Sequence, residues 1–144
     1  MNRELVILLV EDDEGHATLI QKNLRRAGIK NKYLHFKDGQ EILDYLFFNG
    51  DGPHRKPDQT YMMLLDIRMP RVDGIEVLKK VKADKELNNI PITMLTTTDN
   101  PDEINRCHFL GCNNYITKPV DYEKFIDVLA KLGLFLTIVK IPDA

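Results

Sequence analysis

The sequence predicts an α/β fold: an open, doubly wound parallel sheet with helices on both faces. Three observations carry that prediction. Short apolar runs rich in Val, Ile and Leu alternate with longer segments of helical period, five of each. The first run, "ELVILLV", is continuously apolar from Leu5 to Val10, as a strand covered on both faces would be. Polar groups then gather directly after four of the five runs, where such sheets place their sites.

The elements follow in order. After the first strand, Ile20, Leu24 and Ala27 fall on one face of a helix that Gly28 closes. "NKYLHF" is the second strand, at an edge. "DGQEILDYLFF" reads as a helix with Ile42, Leu43, Leu46 and Phe47 inward. Residues 49–60, with Gly50, Gly52, Pro53 and Pro57, form a polar loop. "YMMLLD" is the third strand, and "DGIEVLKKVKAD" a helix with Ile75, Leu78 and Val81 on its apolar face. "IPITMLT" is the fourth strand. Asn100 caps the next helix, Pro101 suits its first turn, and Glu103 stands three after the cap as in a capping box. Gly111 ends that helix. "NYIT" is the fifth strand, and "DYEKFIDVLAKLG" the fifth helix, capped by Asp121.

Composition narrows the function. The chain has 144 residues, 43% apolar and 29% charged, enough for one domain with a real core. A net charge of -2 with scattered Lys and Arg gives no DNA-binding patch. "MNREL" lacks a signal-peptide pattern, and no apolar stretch approaches the roughly 18 residues of a membrane span. A cytoplasmic location is expected. Cys107 and Cys112 have no zinc spacing and read as reduced thiols. His16, His35, His54 and His108 share no spacing and read as structural or surface residues. "HRKP" is a partner patch or, by default, a solvated loop.

The strand ends hold the chemistry. Glu11 and Asp12 follow strand one, Asp66 ends strand three, Thr96 ends strand four, and Lys118 and Pro119 follow strand five. Strand two offers only Lys37 and Asp38. Two unit charges ~5 Å apart repel by roughly 3 kcal/mol at an effective dielectric of about 20. Three carboxylates therefore take up protons or a cation. Oxygen ligands suit Mg²⁺, with Mn²⁺ as a substitute, and do not favour zinc. A carboxylate beside Mg²⁺ can attack phosphorus. Asp66 would attack, Thr96 would donate its hydroxyl, and Lys118 would pair with the phosphoryl charge, leaving an aspartyl phosphate. Asp13 and Glu14 belong to the loop and first helical turn, where the helix dipole favours negative charge.

The motifs "LLVEDD", "LLDIRMPRVDG", "LTT" and "YITKP" stand in that order, with 30 residues from Asp66 to Thr96 and 22 from Thr96 to Lys118. In this combination residues 4–133 resemble a response-regulator receiver domain of the CheY-like type, the phospho-accepting half of two-component signalling. The resemblance implies a flavodoxin-like (βα)5 sheet with strand order 2-1-3-4-5. It implies Glu11 and Asp12 as the acidic pair, with Asp12 the direct Mg²⁺ ligand. Asp66 would be phosphorylated by a sensor histidine kinase, and Arg68 would lend its backbone carbonyl to the metal. Thr96 and Lys118 would be the switch hydroxyl and the paired lysine. Tyr115 would be the rotating aromatic, and Arg68 and Thr98 would tune phosphate lifetime. Pro119 would follow a cis bond, and Met69, Pro70 and Gly74 would fit the turn after Asp66. Such a protein is a phospho-acceptor with at most slow autodephosphorylation, not an enzyme.

Two features depart from a minimal receiver. The loop at 49–60 is longer than one needs, and an apolar extension, 134–144, follows the domain at 1–133; no separate output domain is expected. Both resemble stand-alone regulators that partner phytochrome-type histidine kinases and act on a downstream protein or phosphotransfer partner. Leu134, Phe135, Leu136, Ile138, Val139 and Ile141 either pack back on the domain or form a homodimer contact. A phosphatase of the haloacid dehalogenase type is the alternative, but it wants an Asp where Arg68 stands. A pseudo-receiver that binds without phosphorylation is another, but it would lack one of the site positions.

Overall fold

Successive side chains of a strand face opposite ways, so a strand that is apolar at every position must be covered on both sides. The computed structural model, which describes residues 2–3, 5–97, 100–131 and 141–142, is built on that requirement. Its five parallel strands are β1 (Val6–Val10), β2 (Tyr33–Phe36), β3 (Tyr61–Asp66), β4 (Ile92–Thr96) and β5 (Asn114–Thr117). They lie in the order β2-β1-β3-β4-β5, that is, 2-1-3-4-5. Leu8 pairs with Leu34 on one side and Met63 on the other, and Leu65 pairs with Met94.

Helices α1 (Glu14–Arg26) and α5 (Tyr122–Lys131) cover one face. There Ala17, Ile20, Leu24, Phe125 and Val128 pack on Ile7, Leu9, Met62, Leu64 and Leu95. Helices α2 (Gly39–Leu46), α3 (Gly74–Ala83) and α4 (Pro101–Phe109) cover the other. There Ile42, Leu46, Val77, Leu78, Val81 and Cys107 pack on Leu8, Val10, Met63, Leu65 and Met94. Cys107 and Cys112 are free thiols, and burial pushes Cys112 up to about 12. Among the described residues no helix is long and apolar enough to cross a membrane.

Each helix begins just past a strand's carboxyl end, on an Asp or Asn whose side chain accepts a backbone N–H. Asp13 accepts from His16, Asp38 from Glu41, Asp73 from Glu76, Asn100 from Asp102 and Asp121 from Lys124, at 2.8–3.0 Å. Asp13 and Glu14 therefore open α1 as expected. Gly28 and Gly111 stop α1 and α4 with positive φ, 76° and 108°.

Three local readings are corrected. Helix α2 ends at Leu46 rather than Phe48, because Phe48 turns to φ 60°. The 49–60 loop is bound to the domain rather than merely solvated. Arg55 donates from Nε to the Leu46 carbonyl (2.8 Å), pairs with Glu86 (2.7 Å) and lies over the Phe48 ring at 4.7 Å. The loop backbone at Lys56 donates to the Tyr61 hydroxyl, itself 2.9 Å from that of Tyr45. Glu103, three after the α4 cap, turns its carboxylate to Arg68 at 3.1 Å.

Of the apolar extension, Ile141–Pro142 forms a short antiparallel pair with Asn2–Arg3. Leu134, Phe135, Leu136, Ile138 and Val139 lie outside the described residues, as does Thr98.

Candidate functional site

Because the strands are parallel, their carboxyl ends meet at one edge, and the expected residues meet there. Glu11 follows β1 and is fully buried, Asp66 ends β3 at 3% exposure, and Thr96 ends β4 at 2%. Asp12, next to Glu11, is exposed. Lys118 follows β5, and its backbone N–H donates to the Thr96 carbonyl at 2.7 Å. The Lys118–Pro119 bond is cis, as the resemblance implied. Asn23 of α1 secures the chain just beyond by donating to the Val120 carbonyl at 2.8 Å.

Lys118 Nζ donates to Glu11 Oε1 at 2.6 Å and lies 3.1 Å from Asp66 Oδ2. One ammonium thus faces two buried carboxyl groups. Carboxyl oxygens of Glu11, Asp12 and Asp66 lie within 4.8 Å of one another. Burial, then the charge and hydrogen bond of Glu11, push the Asp66 carboxyl up to about 7, against the opposing pull of Lys118. Glu11 Oε2 is buried without a hydrogen-bond partner. A set of oxygen donors with an unfilled acceptor fits a hard, oxygen-seeking cation such as Mg²⁺ or Mn²⁺.

Two histidines grip Glu11, which their spacing in the sequence did not reveal. His35 Nε2 donates to the Glu11 carbonyl at 2.7 Å, and His16 Nδ1 lies 3.2 Å from Glu11 Oε1. The only signal was position: His16 stands in the first turn of α1, and His35 beside the end of β1. Asp13 stays at the helix start, held low chiefly by the His16 N–H.

The loop after β3 is tightly seated. A Cβ on Gly74 would lie 2.0 Å from the Asp66 carbonyl oxygen, and the Gly74 N–H donates to the Ile67 carbonyl at 2.7 Å. Gly74→Ala must therefore displace the backbone that carries Asp66. It is expected to cost at least about 1–3 kcal/mol, read as a lower midpoint in urea unfolding. An unchanged midpoint would contradict this close approach. Arg71, at φ 66°, grips Asp38 through a hydrogen bond to Oδ1 and an ion-pair contact from Nε to Oδ2, each 3.0 Å. Burial alone would raise Asp38, but the bonds from Arg71 and the Glu41 N–H outweigh it and hold it low.

The remaining expected residues lie around this centre. Arg68 points outward, 71% exposed, to Glu103 on α4. Tyr115 is exposed on β5, its ring 5.6 Å from that of His108 and nearly perpendicular to it.

This geometry has close counterparts. The model of the response regulator receiver domain matches residues 7–130. Response regulator Rcp1 of Synechocystis sp. is 31% identical over 144 residues, spanning 99% of this chain and 97% of its own. The Mn(2+)-bound structure of Rcp1 superposes with a TM-score of 0.75, covering 96% of this chain and 99% of that one. The bacteriophytochrome response regulator RtBRR is 37% identical with a TM-score of 0.81, over 89% of this chain and 77% of that one. A receiver domain from Rhodospirillum rubrum is 44% identical with a TM-score of 0.75, over 96% and 98%. With its fold, its strand-end residues and these likenesses in agreement, the chain belongs to the response regulator receiver domain family.

Proposed function

We propose that this chain is a phospho-acceptor switch in which Asp66 receives a phosphoryl group from a sensor histidine kinase, with Mg²⁺, or Mn²⁺ in its place. The observation that carries this reading is the buried Asp66 carboxyl beside Glu11, whose Oε2 has no partner, with Lys118 bridging the two. Such a set is short of positive charge and long on oxygen donors.

Glu11, Asp12 and Asp66, with the Arg68 carbonyl, would hold the cation. When bound, it supplies the charge that keeps Asp66 ionised and neutralises a phosphoryl oxygen. Asp66 forms an O–P bond as the N–P bond of a phosphohistidine breaks, and the electron pair stays on the imidazole nitrogen. Lys118 offers N–H bonds to the transferred group, and Thr96 its hydroxyl. The added charge biases Thr96, Tyr115 and the face made by α4 and β5, a local electrostatic shift of a two-state equilibrium. Arg68 and Thr98 tune phosphate lifetime. No carboxyl group stands two after Asp66, so rapid hydrolysis of the kind a phosphatase performs is not the reading favoured.

The likeness to a bacteriophytochrome response regulator supports a phytochrome-type kinase as donor; with it we assign a cytoplasmic location and a downstream protein or phosphotransfer partner. We further assign 1–133 to the receiver and 134–144 to an apolar extension that either packs back on the domain or forms a homodimer contact. The test is melting and sedimentation with Mg²⁺, beryllofluoride, or both. Only the combination is expected to raise Tm strongly, and it is expected to change the sedimentation coefficient. An unmoved Tm would contradict the acceptor reading, and an unmoved coefficient the dimer switch.

A further inference from the structure

Arg68 and Glu103 face each other across a cleft of about 270 Å³ between the loop after β3 and the first turn of α4, lined also by Ile67, Met69, Asp73 and Ile75; Asp73 is engaged as the cap of α3 through the Glu76 N–H. Arg68 donates to Glu103 Oε2 at 3.1 Å. The two partners stand in different surroundings. Arg68 is 71% exposed, whereas Glu103 is 19% exposed. Glu103 Oε1 is buried and has no hydrogen-bond partner. The carboxylate is therefore half satisfied, and its other oxygen is bonded to an arginine from another element. Without Arg68 neither oxygen of this partly buried carboxylate would keep its protein partner, which is costly.

Helix α4 is poorly anchored beneath this pair. Cys107, one turn after Glu103, is its buried residue, while Phe109 is 89% exposed. Glu103 and Cys107 stand four apart in α4 and so share one side of the helix, the side that carries its buried residue. An element with so little buried apolar surface opens easily.

Arg68 also lies two residues after Asp66. A phosphoryl group there carries about -1.5 to -2 charges, and a guanidinium matches its oxygens bidentately. An exposed ion pair to a single carboxylate is worth little against that. We propose that Glu103 is a positioning residue for phosphoryl binding: it holds Arg68 across the cleft in the unphosphorylated protein, and surrendering Arg68 to the phosphoryl group on Asp66 leaves the Glu103 carboxylate unpaired, so that α4 shifts. This rests on the phospho-acceptor reading. It adds a second route from Asp66 to α4, separate from Thr96 and Tyr115.

The test is the affinity of the Mg²⁺-loaded protein for beryllofluoride in four forms: wild type, Glu103→Gln, Arg68→Ala and the double variant, with melting curves to verify folding. Glu103→Gln releases Arg68 and is expected to bind about 3- to 5-fold more tightly. Arg68→Ala is expected to bind more weakly, and the double variant to match it. An unchanged or weaker affinity in Glu103→Gln overturns the proposal. So does a gain of equal size in the Arg68→Ala background, since removal of one negative charge would then account for it. Thiol labelling gives an independent reading in a Cys112→Ser background. Beryllofluoride is expected to speed modification of Cys107, and Glu103→Gln to abolish that acceleration. Equal acceleration in both overturns the coupling to α4. Binding by the wild type without any dependence on Glu103 overturns this proposal alone. Absence of binding in all four overturns the acceptor reading and this proposal together.

Discussion

Lys118→Met is expected to destabilise the metal-free protein by about 3–5 kcal/mol at pH 8, read as a large fall in Tm. Lys118 is 5% exposed and is the cation that faces both Glu11 and Asp66. Removing it strands two carboxylates in a buried site, and breaking one side of a buried ionic group costs far more than the group contributes. The loss should shrink at pH 5. There Asp66, pushed up to about 7, already carries its proton, so less negative charge is left without a partner. Saturating Mg²⁺ should restore part of the stability at pH 8 by supplying positive charge to the same oxygens. Thermal melts at both pH values, in EDTA and in Mg²⁺, check this. Equal losses at pH 5 and pH 8, with no rescue by Mg²⁺, would contradict the account of the cluster.

Asp66→Asn is expected to act with the opposite sign. The folded-state carboxyl of Asp66 lies at about 7 against an ordinary 3.8. The native protein thus holds a proton between those values that the unfolded chain releases. That contribution to stability is complete below about pH 4 and is lost as pH rises through about 7. The metal-free wild type should therefore weaken from pH 5 to pH 8. The amide that replaces the carboxyl carries no charge, so the variant should not weaken over that window from this cause. At pH 8 it should be more stable than the wild type by about 1–2 kcal/mol, which for a domain of this size is roughly 3–8 °C in Tm. At pH 5 the two should nearly coincide. The same variant should lose most of the Mg²⁺-induced rise in Tm. A variant less stable than the wild type at pH 8 without metal would show that Asp66 is not held against its own charge.

Much of this is legible in the sequence. Strand β1 announced itself because burial on both faces forces an unbroken apolar run, and Asn100 and Asp121 marked where α4 and α5 start. Once the strands were placed, Glu11, Asp66, Thr96 and Lys118 fell at their ends without further assumption. Other contacts left no local trace. Arg55 reaches Glu86 across 31 positions and Arg68 reaches Glu103 across 35. Nothing in the period of either segment encodes such a pairing. His16 and His35 likewise found Glu11 only because α1 and β2 pack beside the end of β1. The end of α2 was misplaced because Phe48, an aromatic residue, takes the left-handed backbone that glycine or asparagine usually marks.

These threads converge on a single oxygen. Intact-mass analysis after incubation with acetyl phosphate and Mg²⁺ asks directly whether Asp66 becomes the acceptor. The expected result is one added phosphoryl group on the wild type, its loss in EDTA, and none on Asp66→Asn. A phosphoryl group that persists on Asp66→Asn would contradict the central claim.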